Sequence, residues 1–289
     1  MKARSIIIQE LQSLRLWRGK VLIEPLAGGI TNQNFLVEDE TGGYVARICK
    51  ELPLLGIDRC NEAACQETAS RLGIAPALIH RDEGLLVSHH VSGQTLTAAD
   101  LHDPAMLRDV GRTLRRLHDG RDVVTGLVLY FCPFQTIRTY AQTAVSLEAR
   151  LPDDIEDLLE DARHLANRIG PFWPVLCHND LLPANMITSA GRLWLVDWEY
   201  AGMGHPLFDL ASVSANAGLS DDEEAALLES YQGSIDPREL DLIRVFKAAS
   251  LLREALWAVI QTATSELAFD YQDYAARHFE AYREARKTS

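Results

Sequence analysis

Short runs of apolar and β-branched residues, separated by polar turns, dominate the first ninety positions of the chain. The turn from residue 39 to residue 43 carries the acidic and glycine residues that are typical of a β-hairpin. One helix interrupts these runs, because Asp58 can cap its first turn and Gly73 can end it. The predicted strands are Val21–Ala27, Gln33–Glu38, Gly43–Cys49, Ala77–His80 and Gly84–Ser88.

From about residue 97 the apolar positions take the three- and four-residue spacing of amphipathic helices. Each of three helix starts carries a capping residue, followed by a proline or by a reciprocal glutamate. These starts are Asp103-Pro104, Ser220-Asp-Asp-Glu223 and Asp236-Pro237. The last of them begins a long helix that is expected to run through Trp257.

This change of pattern predicts an α+β fold of two lobes. A small β-rich N-lobe would span residues 1–90, and a larger, mainly helical C-lobe would span residues 91–289. The connection between them is expected near Ser88–Ser92. A chain of 289 residues with 47% hydrophobic and 24% charged residues is large enough to build the cores of two such lobes.

The charge balance argues against two classes of partner. The chain has 28 basic and 41 acidic residues, a formal net charge of −13, and no dense basic block. We therefore expect neither a nucleic acid nor an anionic membrane surface as a partner. The apolar run at residues 6–8 is too short for a signal peptide, and no run approaches the ~18 residues of a membrane span. The expected location is the cytoplasm, and the oligomeric state stays open.

Four polar residues follow two short apolar runs in the middle of the chain. His178, Asp180 and Asn185 have the spacing H-x-D-x-x-x-x-N, which is typical of the catalytic loop of kinases. Asp197 lies twelve residues after Asn185, at the end of the second run, where kinases hold a metal-binding aspartate. The alternative is a strand–turn–strand unit whose polar side chains only cap turns. The combined spacing favours ATP-dependent phosphotransfer.

Phosphoryl transfer explains these residue types. A carboxylate must orient the acceptor hydroxyl, and oxygen ligands must hold Mg²⁺ against the phosphates of ATP. Asp180 is the candidate catalytic base, and we expect it to take its proton late, because an ordinary aspartate titrates near ~3.9. The candidate metal ligands are Asn185, Asp197 and Glu199. His178 is expected to brace the loop rather than to transfer protons.

The segment between the first two predicted strands is rich in glycine and polar residues, although it lacks the pattern G-x-G-x-x-G. Glycines let the backbone approach a phosphate closely, and hydroxyl and amide groups can donate hydrogen bonds to it. A plain turn is the alternative. The candidate nucleotide-binding residues of this segment are Gly28, Gly29, Thr31 and Asn32.

A basic residue on the third predicted strand is the candidate partner of the ATP phosphates. Kinases place a lysine there and pair it with a glutamate on the next helix. In this chain Arg47 takes that position and Glu62 lies on the predicted helix; a surface arginine on an edge strand is the alternative. In the connection between the lobes, the backbone at His89 and Val91 is expected to meet the adenine of ATP.

The chain resembles the choline/ethanolamine kinases and their aminoglycoside-phosphotransferase relatives over nearly its whole length. The likeness rests on His178-Asn-Asp180, on Asp197-Trp-Glu-Tyr200 and on the segments 251–261 and 269–282. It implies a protein-kinase-like fold with ATP and Mg²⁺ as cofactors. The implied reaction is phosphorylation of the hydroxyl of a small cationic alcohol, choline or ethanolamine.

The same resemblance implies that aromatic rings enclose the ammonium group of the acceptor, since a trimethylammonium has no N–H to donate. Trp257 and Tyr274 match ring positions of the family, and Tyr271 is an adjacent, weaker candidate; packing in a helical core is the alternative for these rings. Glu254 stands where the family often has a further tryptophan. A carboxylate suits a primary ammonium at least as well as a methylated one, so the acceptor stays open between ethanolamine and choline.

Two other functions stay open. An aminoglycoside- or thiamine-type kinase would share the ATP-binding half and differ only in its acceptor pocket. A catalytically silent, kinase-like binding protein would have no chemical need for Asp180, Asn185 and Asp197 together. Asp209 is expected to anchor the catalytic loop or to cap the helix after Pro206.

Overall fold

The structure is a computed structural model that describes residues 4–26, 32–265, 267 and 269–287. Its N-terminal region contains five antiparallel strands: β1 Leu22–Leu26, β2 Gln33–Asp39, β3 Gly42–Ile48, β4 Leu78–Asp82 and β5 Leu85–His89. They form one sheet in the order β1-β2-β3-β5-β4. The predicted strands are confirmed within one or two residues at most ends. Strand β3 is the middle strand of the sheet rather than an edge strand.

Helix α2, Arg59–Arg71, connects β3 to β4 and begins as the sequence predicted. The Asp58 side chain accepts a hydrogen bond from the backbone N–H of Asn61 at 2.7 Å, which satisfies one free donor of the first turn. Gly73 follows the helix with φ of 64°, in the left-handed region where glycine ends helices at little cost.

Helix α1, Arg4–Ser13, was not predicted, because the sequence pattern indicated only one helix in the first ninety residues. Only Ile7 and Leu11 of this helix are buried, and they pack against Phe35 and Val37 of the sheet. Two buried positions one turn apart make a weak periodic signal. Tertiary packing on the sheet therefore stabilises a helix that the local pattern does not indicate.

The C-terminal region is mainly helical. Its described helices are α3 Pro104–His118, α4 Pro133–Ser146, α5 Ile155–Ala166, α6 Pro206–Ala217, α7 Asp221–Gln232, α8 Pro237–Thr264 and α9 Tyr271–Ala285. Its short strands are β6 Gln94–Thr95, β7 Val175–Cys177, β8 Met186–Ser189, β9 Arg192–Leu195 and β10 Gly202–Gly204. A sheet-containing N-terminal region and a helical C-terminal region agree with the predicted fold class.

The predicted helix starts are confirmed by their caps. The Asp103 side chain accepts from the backbone N–H of Ala105 at 3.0 Å, and Asp236 accepts from Arg238 at 2.9 Å. At the start of α7, Ser220 forms a capping box with Glu223. Each cap satisfies backbone donors that have no partner inside the helix.

Helix α8 crosses the C-terminal region and packs against α4, α6 and α9. It spans 28 residues and is buried along most of its second half. Arg253 in the buried second half of α8 contacts Asp180, so this part of the helix borders the loop that carries the kinase-like motif. Within the described part of the chain, none of the helices is both long enough and apolar enough to cross a bilayer.

Candidate active site

The loop that follows β7 carries the kinase-like motif and is anchored from α6. Both carboxylate oxygens of Asp209 accept backbone hydrogen bonds from this loop, from His178 at 2.9 Å and from Asn179 at 2.7 Å. Asn179 has φ of 64° in the left-handed region, a conformation that costs energy for a residue other than glycine. Asp209 is fully buried and also lies 3.0 Å from Nε2 of His118. Of the two roles that the sequence left open for Asp209, the structure shows the first: Asp209 anchors this loop, and His205 caps the helix.

His178 braces the loop as a neutral ring. Its Nε2 donates to the carbonyl oxygen of Val196 at 3.0 Å, and its Nδ1 accepts the backbone N–H of Asp180 at 3.3 Å. Burial lowers the pKa of this histidine, although the nearby carboxylate of Asp209 opposes the shift. The ring joins the catalytic loop to the strand that leads to Asp197.

Asp180 lies at the centre of the site. Its Oδ1 accepts a hydrogen bond from Nη2 of Arg253 at 2.9 Å. Burial raises the pKa of Asp180 to about 7; Arg253 opposes this shift, while Glu254 and Asp197 add to it. A carboxyl group with this pKa accepts a proton more readily than an ordinary aspartate does, which suits a catalytic base.

Asn185 and Asp197 lie on adjacent segments and line the same cavity. The backbone N–H of Val196 donates to the carbonyl oxygen of Asn185 at 3.0 Å and holds these segments together. The amide nitrogen of Asn185 is committed to the backbone oxygen of Asp180 at 2.9 Å, so its Oδ1 is the atom that can face a cation. An amide oxygen and a carboxylate are ligands that Mg²⁺ prefers, and the residues therefore fit this ion.

Glu199, the third predicted metal ligand, is buried and held by two donors. Its Oε2 accepts from Nη1 of Arg59 at 3.0 Å and from Nδ2 of Asn32 at 3.1 Å. Burial raises the pKa of Glu199, and the negative charge of Asp197 adds to the shift while arginines oppose it. Through this contact, Asn32, one of the predicted nucleotide-binding residues, lies beside a candidate metal ligand. Gly28, Gly29 and Thr31 lie outside the described residues.

Arg47 and Glu62 form the ion pair that the sequence predicted. The guanidinium of Arg47 also pairs with Asp197, so it joins the helix glutamate to the candidate metal ligand. Sequence analysis missed Arg59, whose Nη1 lies 2.6 Å from Oε2 of the fully buried Glu62. The three-residue spacing of Arg59 and Glu62 on α2 was the signal that could have found it.

A cavity of about 380 Å³ lies between the sheet and the C-terminal region. His89 and Val91 line it at the connection, and Arg47, Asn185 and Asp197 line it at the catalytic side. The backbone N–H of His89 donates to the carbonyl oxygen of Ala77 at 3.0 Å and is thus committed to the sheet. Apolar side chains line the cavity together with several polar and charged ones, a combination typical of small-molecule sites.

The predicted acceptor residues lie together on α8 and α9. The hydroxyl of Tyr274 donates to Oε2 of Glu254 at 3.3 Å. The ring centre of Trp257 lies 5.8 Å from that of Tyr271 and 6.1 Å from that of Tyr274. Trp257 and Tyr271 are both buried and belong to the main hydrophobic core. These two rings therefore pack as core residues, while Tyr274 is only partly buried.

Sequence analysis missed Arg253 and the ring of Tyr200. Nη2 of Arg253 contacts Asp180 and also Oε1 of Glu254, so one guanidinium joins the candidate base to the predicted acceptor carboxylate. Its Cζ lies 5.0 Å from the ring centre of Tyr200 and 6.0 Å from that of Phe131. The signal was a basic residue inside an otherwise apolar helical run. The Nε of Arg253 is buried and has no hydrogen-bond partner among the described residues.

Comparisons with known proteins show relatives that match nearly the whole chain. Protein LicA of Haemophilus influenzae is 28% identical over 271 residues, which cover 88% of this chain and 77% of LicA. A choline/ethanolamine kinase family protein from Mesorhizobium loti has a crystal structure with a TM-score of 0.81 and 27% identity, covering 97% of this chain and 94% of its own. The structure of choline kinase LicA from Streptococcus pneumoniae gives a TM-score of 0.82 at 25% identity and covers 99% of both chains.

The sequence profile of the phosphotransferase enzyme family (APH) matches residues 22–243. The matched region includes the sheet, the catalytic loop and most of the helical region, and the fold is protein-kinase-like, as the resemblance implied. The chain therefore belongs to the phosphotransferase enzyme family, as a kinase-like enzyme related to choline and ethanolamine kinases.

Proposed function

We propose that the protein transfers the γ-phosphoryl group of ATP, with Mg²⁺, to the hydroxyl of a small cationic alcohol, choline or ethanolamine. The observation that carries this proposal is the contact of Arg253 with both Asp180 and Glu254. It joins the candidate base to a carboxylate that can attract an ammonium group. A small molecule whose hydroxyl and ammonium are two carbons apart can place its hydroxyl at Asp180 and its ammonium at Glu254 at the same time.

On the nucleotide side, the adenine would lie in the cavity near Val91, and Arg47 would face the phosphates. Asn185 and Asp197 would hold Mg²⁺, and Glu199 is a further candidate ligand beside them. The ion, when bound, neutralises phosphate charge and orients the transferred group. Residues 1–90 would form the nucleotide-binding lobe, and residues 91–289 would carry the catalytic loop and the acceptor site.

On the acceptor side, Asp180 orients the hydroxyl and accepts its proton as the bond to phosphorus forms. Its raised pKa makes it a stronger base than an ordinary aspartate. Burial keeps water away from the reacting hydroxyl and limits hydrolysis of ATP. Glu254 supplies negative charge for the ammonium, and the partly buried ring of Tyr274 lies beside it. The buried ring of Trp257 packs behind Tyr274 and also contacts Tyr271.

Similarity to proteins named choline kinase and ethanolamine kinase supports this acceptor class. An aminoglycoside- or thiamine-type kinase on the same fold is the alternative. A binding protein without turnover is the third possibility, and it would have no chemical need for Asp180, Asn185 and Asp197 together.

The test is ATP turnover by the purified protein with Mg²⁺ and one acceptor at a time: ethanolamine, choline, thiamine and an aminoglycoside. Product should be identified by mass, so that hydrolysis of ATP is not counted as transfer. We expect phosphorylated ethanolamine or choline, and no product after Mg²⁺ is chelated. Phosphorylation of only thiamine or the aminoglycoside would overturn the acceptor class. Nucleotide binding without any product would favour the binding protein.

A further inference from the structure

Arg253 places a fixed positive charge inside the acceptor side of the site. Its guanidinium is held by Asp180 at 2.9 Å and by Glu254, and its side chain is only 3% exposed. Because both neighbours are carboxylates, their attraction outweighs the effect of burial and raises the pKa of Arg253. The guanidinium is therefore a permanent part of the site rather than a mobile surface charge.

This guanidinium lies where a cation would otherwise meet an aromatic ring. The Cζ of Arg253 lies 5.0 Å from the ring centre of Tyr200, within the ~6 Å range of a cation–π contact. The same group lies 6.0 Å from the ring centre of Phe131. Any ammonium group in this buried site therefore lies near the like charge of Arg253. A primary ammonium can offset that repulsion with N–H hydrogen bonds to a carboxylate, whereas a quaternary ammonium has no N–H and finds these two rings already occupied by the guanidinium.

Glu254 offers a different kind of contact. Its Oε1 is taken by Arg253, while its Oε2 accepts only a long bond of 3.3 Å from the hydroxyl of Tyr274 in the described structure. A carboxylate oxygen can accept two hydrogen bonds, so Oε2 has capacity for an N–H donor. When both carboxyl groups are ionised, Asp180 and Glu254 carry one negative charge more than the guanidinium of Arg253 neutralises. That charge matches an acceptor with a single ammonium group.

Arg253 is also not a fully satisfied structural residue. Both contacts of Arg253 with carboxylates use Nη2, and the buried Nε has no hydrogen-bond partner among the described residues. An arginine kept only for stability would be expected to use its donors more completely, because each buried unpaired donor costs free energy.

Resting on the proposed function, we propose that Arg253 is the specificity-determining residue of the acceptor site. By covering the ring of Tyr200 and holding one oxygen of Glu254, it selects amino alcohols whose nitrogen keeps at least one N–H. Quaternary ammonium alcohols are selected against. This assignment narrows the choice between ethanolamine and choline toward ethanolamine and its partly methylated derivatives.

A methylation series tests the proposal on the unmodified protein. The acceptors are ethanolamine, N-methylethanolamine, N,N-dimethylethanolamine and choline, which lose one N–H at each step. We expect kcat/KM to fall by at least about tenfold at the last step, because the final charge-assisted hydrogen bond is lost there. Recognition by rings alone would give equal or rising kcat/KM with methylation.

Variants assign the effect to Arg253. Arg253→Met removes the charge and uncovers the ring, and it should shift the ratio of choline to dimethylethanolamine by at least about tenfold toward choline. Arg253→Lys keeps the charge and should keep the original order. Arg277→Met is the matched control, since Arg277 lies 6.0 Å from the ring of Tyr274 on the exposed side of α9. It should leave the ratio unchanged.

A choline preference in the unmodified protein would overturn the proposal, and so would an unchanged ratio in Arg253→Met. If that variant does not fold, the methylation series on the unmodified protein decides alone. Failure of the proposed function has a different signature: none of the four amino alcohols is phosphorylated, although the protein binds ATP. In that case the proposed role of Arg253 in acceptor choice is also wrong.

Discussion

The backbone N–H of His178 donates to the buried carboxylate of Asp209 at 2.9 Å, which ties helix α6 to the first residue of the catalytic loop. The second oxygen of Asp209 holds the next residue, Asn179, in a left-handed conformation. A carboxylate can accept both backbone donors, whereas an amide must turn one N–H group toward a donor. The loop geometry therefore depends on the charge of Asp209 and not only on its shape.

Asp209→Asn should lower both stability and kcat. We expect a loss of about 1–3 kcal/mol in the free energy of unfolding, because a buried backbone N–H loses its acceptor. Chemical denaturation and steady-state kinetics measure the two effects. Asp241→Asn is the control, since Asp241 forms exposed ion pairs and should change stability by less than about 0.5 kcal/mol. Equal effects of the two substitutions would contradict the anchoring role.

Asp180→Asn should reduce kcat by about 10²-fold or more while leaving nucleotide binding intact, because the amide cannot accept the hydroxyl proton. Asp197→Asn should instead weaken binding of Mg²⁺-ATP, since the candidate metal ligand loses its charge. Calorimetric binding of nucleotide with and without Mg²⁺ separates the two cases. Near-normal turnover by Asp180→Asn would remove Asp180 from the base role.

Activity should depend on pH through Asp180. Burial raises its pKa to about 7, so the residue is protonated at lower pH and kcat/KM should fall as pH drops through about 7. Glu254→Gln removes a negative charge near Asp180, and Arg253 then pairs with the Asp180 carboxylate alone. Both changes favour the ionised form of Asp180. The acid limb of the pH profile should therefore move to lower pH in this variant. An unchanged limb, or a shift to higher pH, would contradict the coupling of these two carboxylates.

Arg47 and Glu62 should act together in ATP binding. Arg47→Met and Glu62→Gln should each raise the KM for ATP. The first removes the guanidinium that we propose to face the phosphates, and the second removes the buried charge that holds this guanidinium in place. The double variant should be less than additive by at least about 0.5 kcal/mol. The KM for the acceptor should move little. Strict additivity in the double-mutant cycle would show that the two side chains work independently.

The catalytic motif could be found from the sequence because its members are close along the chain. His178, Asp180, Asn185 and Asp197 lie within twenty residues, and short buried strands hold them in place. Spacing on a short loop between two strands largely determines which side chains can meet. The helix starts could be predicted for the same reason, because a capping side chain and its backbone partner lie only two or three residues apart.

Contacts between distant segments could not be found in this way. Arg253 meets Asp180 across 73 positions, and Arg59 meets Glu199 across 140 positions. Nothing in the local pattern of α8 shows which loop its buried arginine will contact. Helix α1 was not predicted for a related reason. Its few apolar residues stabilise a helix only because they pack against the sheet.

The sequence by itself was enough to predict a kinase-like enzyme, since the candidate base, the candidate metal ligands and the candidate phosphate partner are recognisable from residue type and spacing. Only the tertiary structure decided which charged groups meet beside Asp180 and which ring the guanidinium of Arg253 covers. There α8 brings a guanidinium against Asp180, Glu254 and the ring of Tyr200. The physical reason is that electrostatic and cation–π interactions depend on distances of a few ångströms between segments, and packing alone sets those distances.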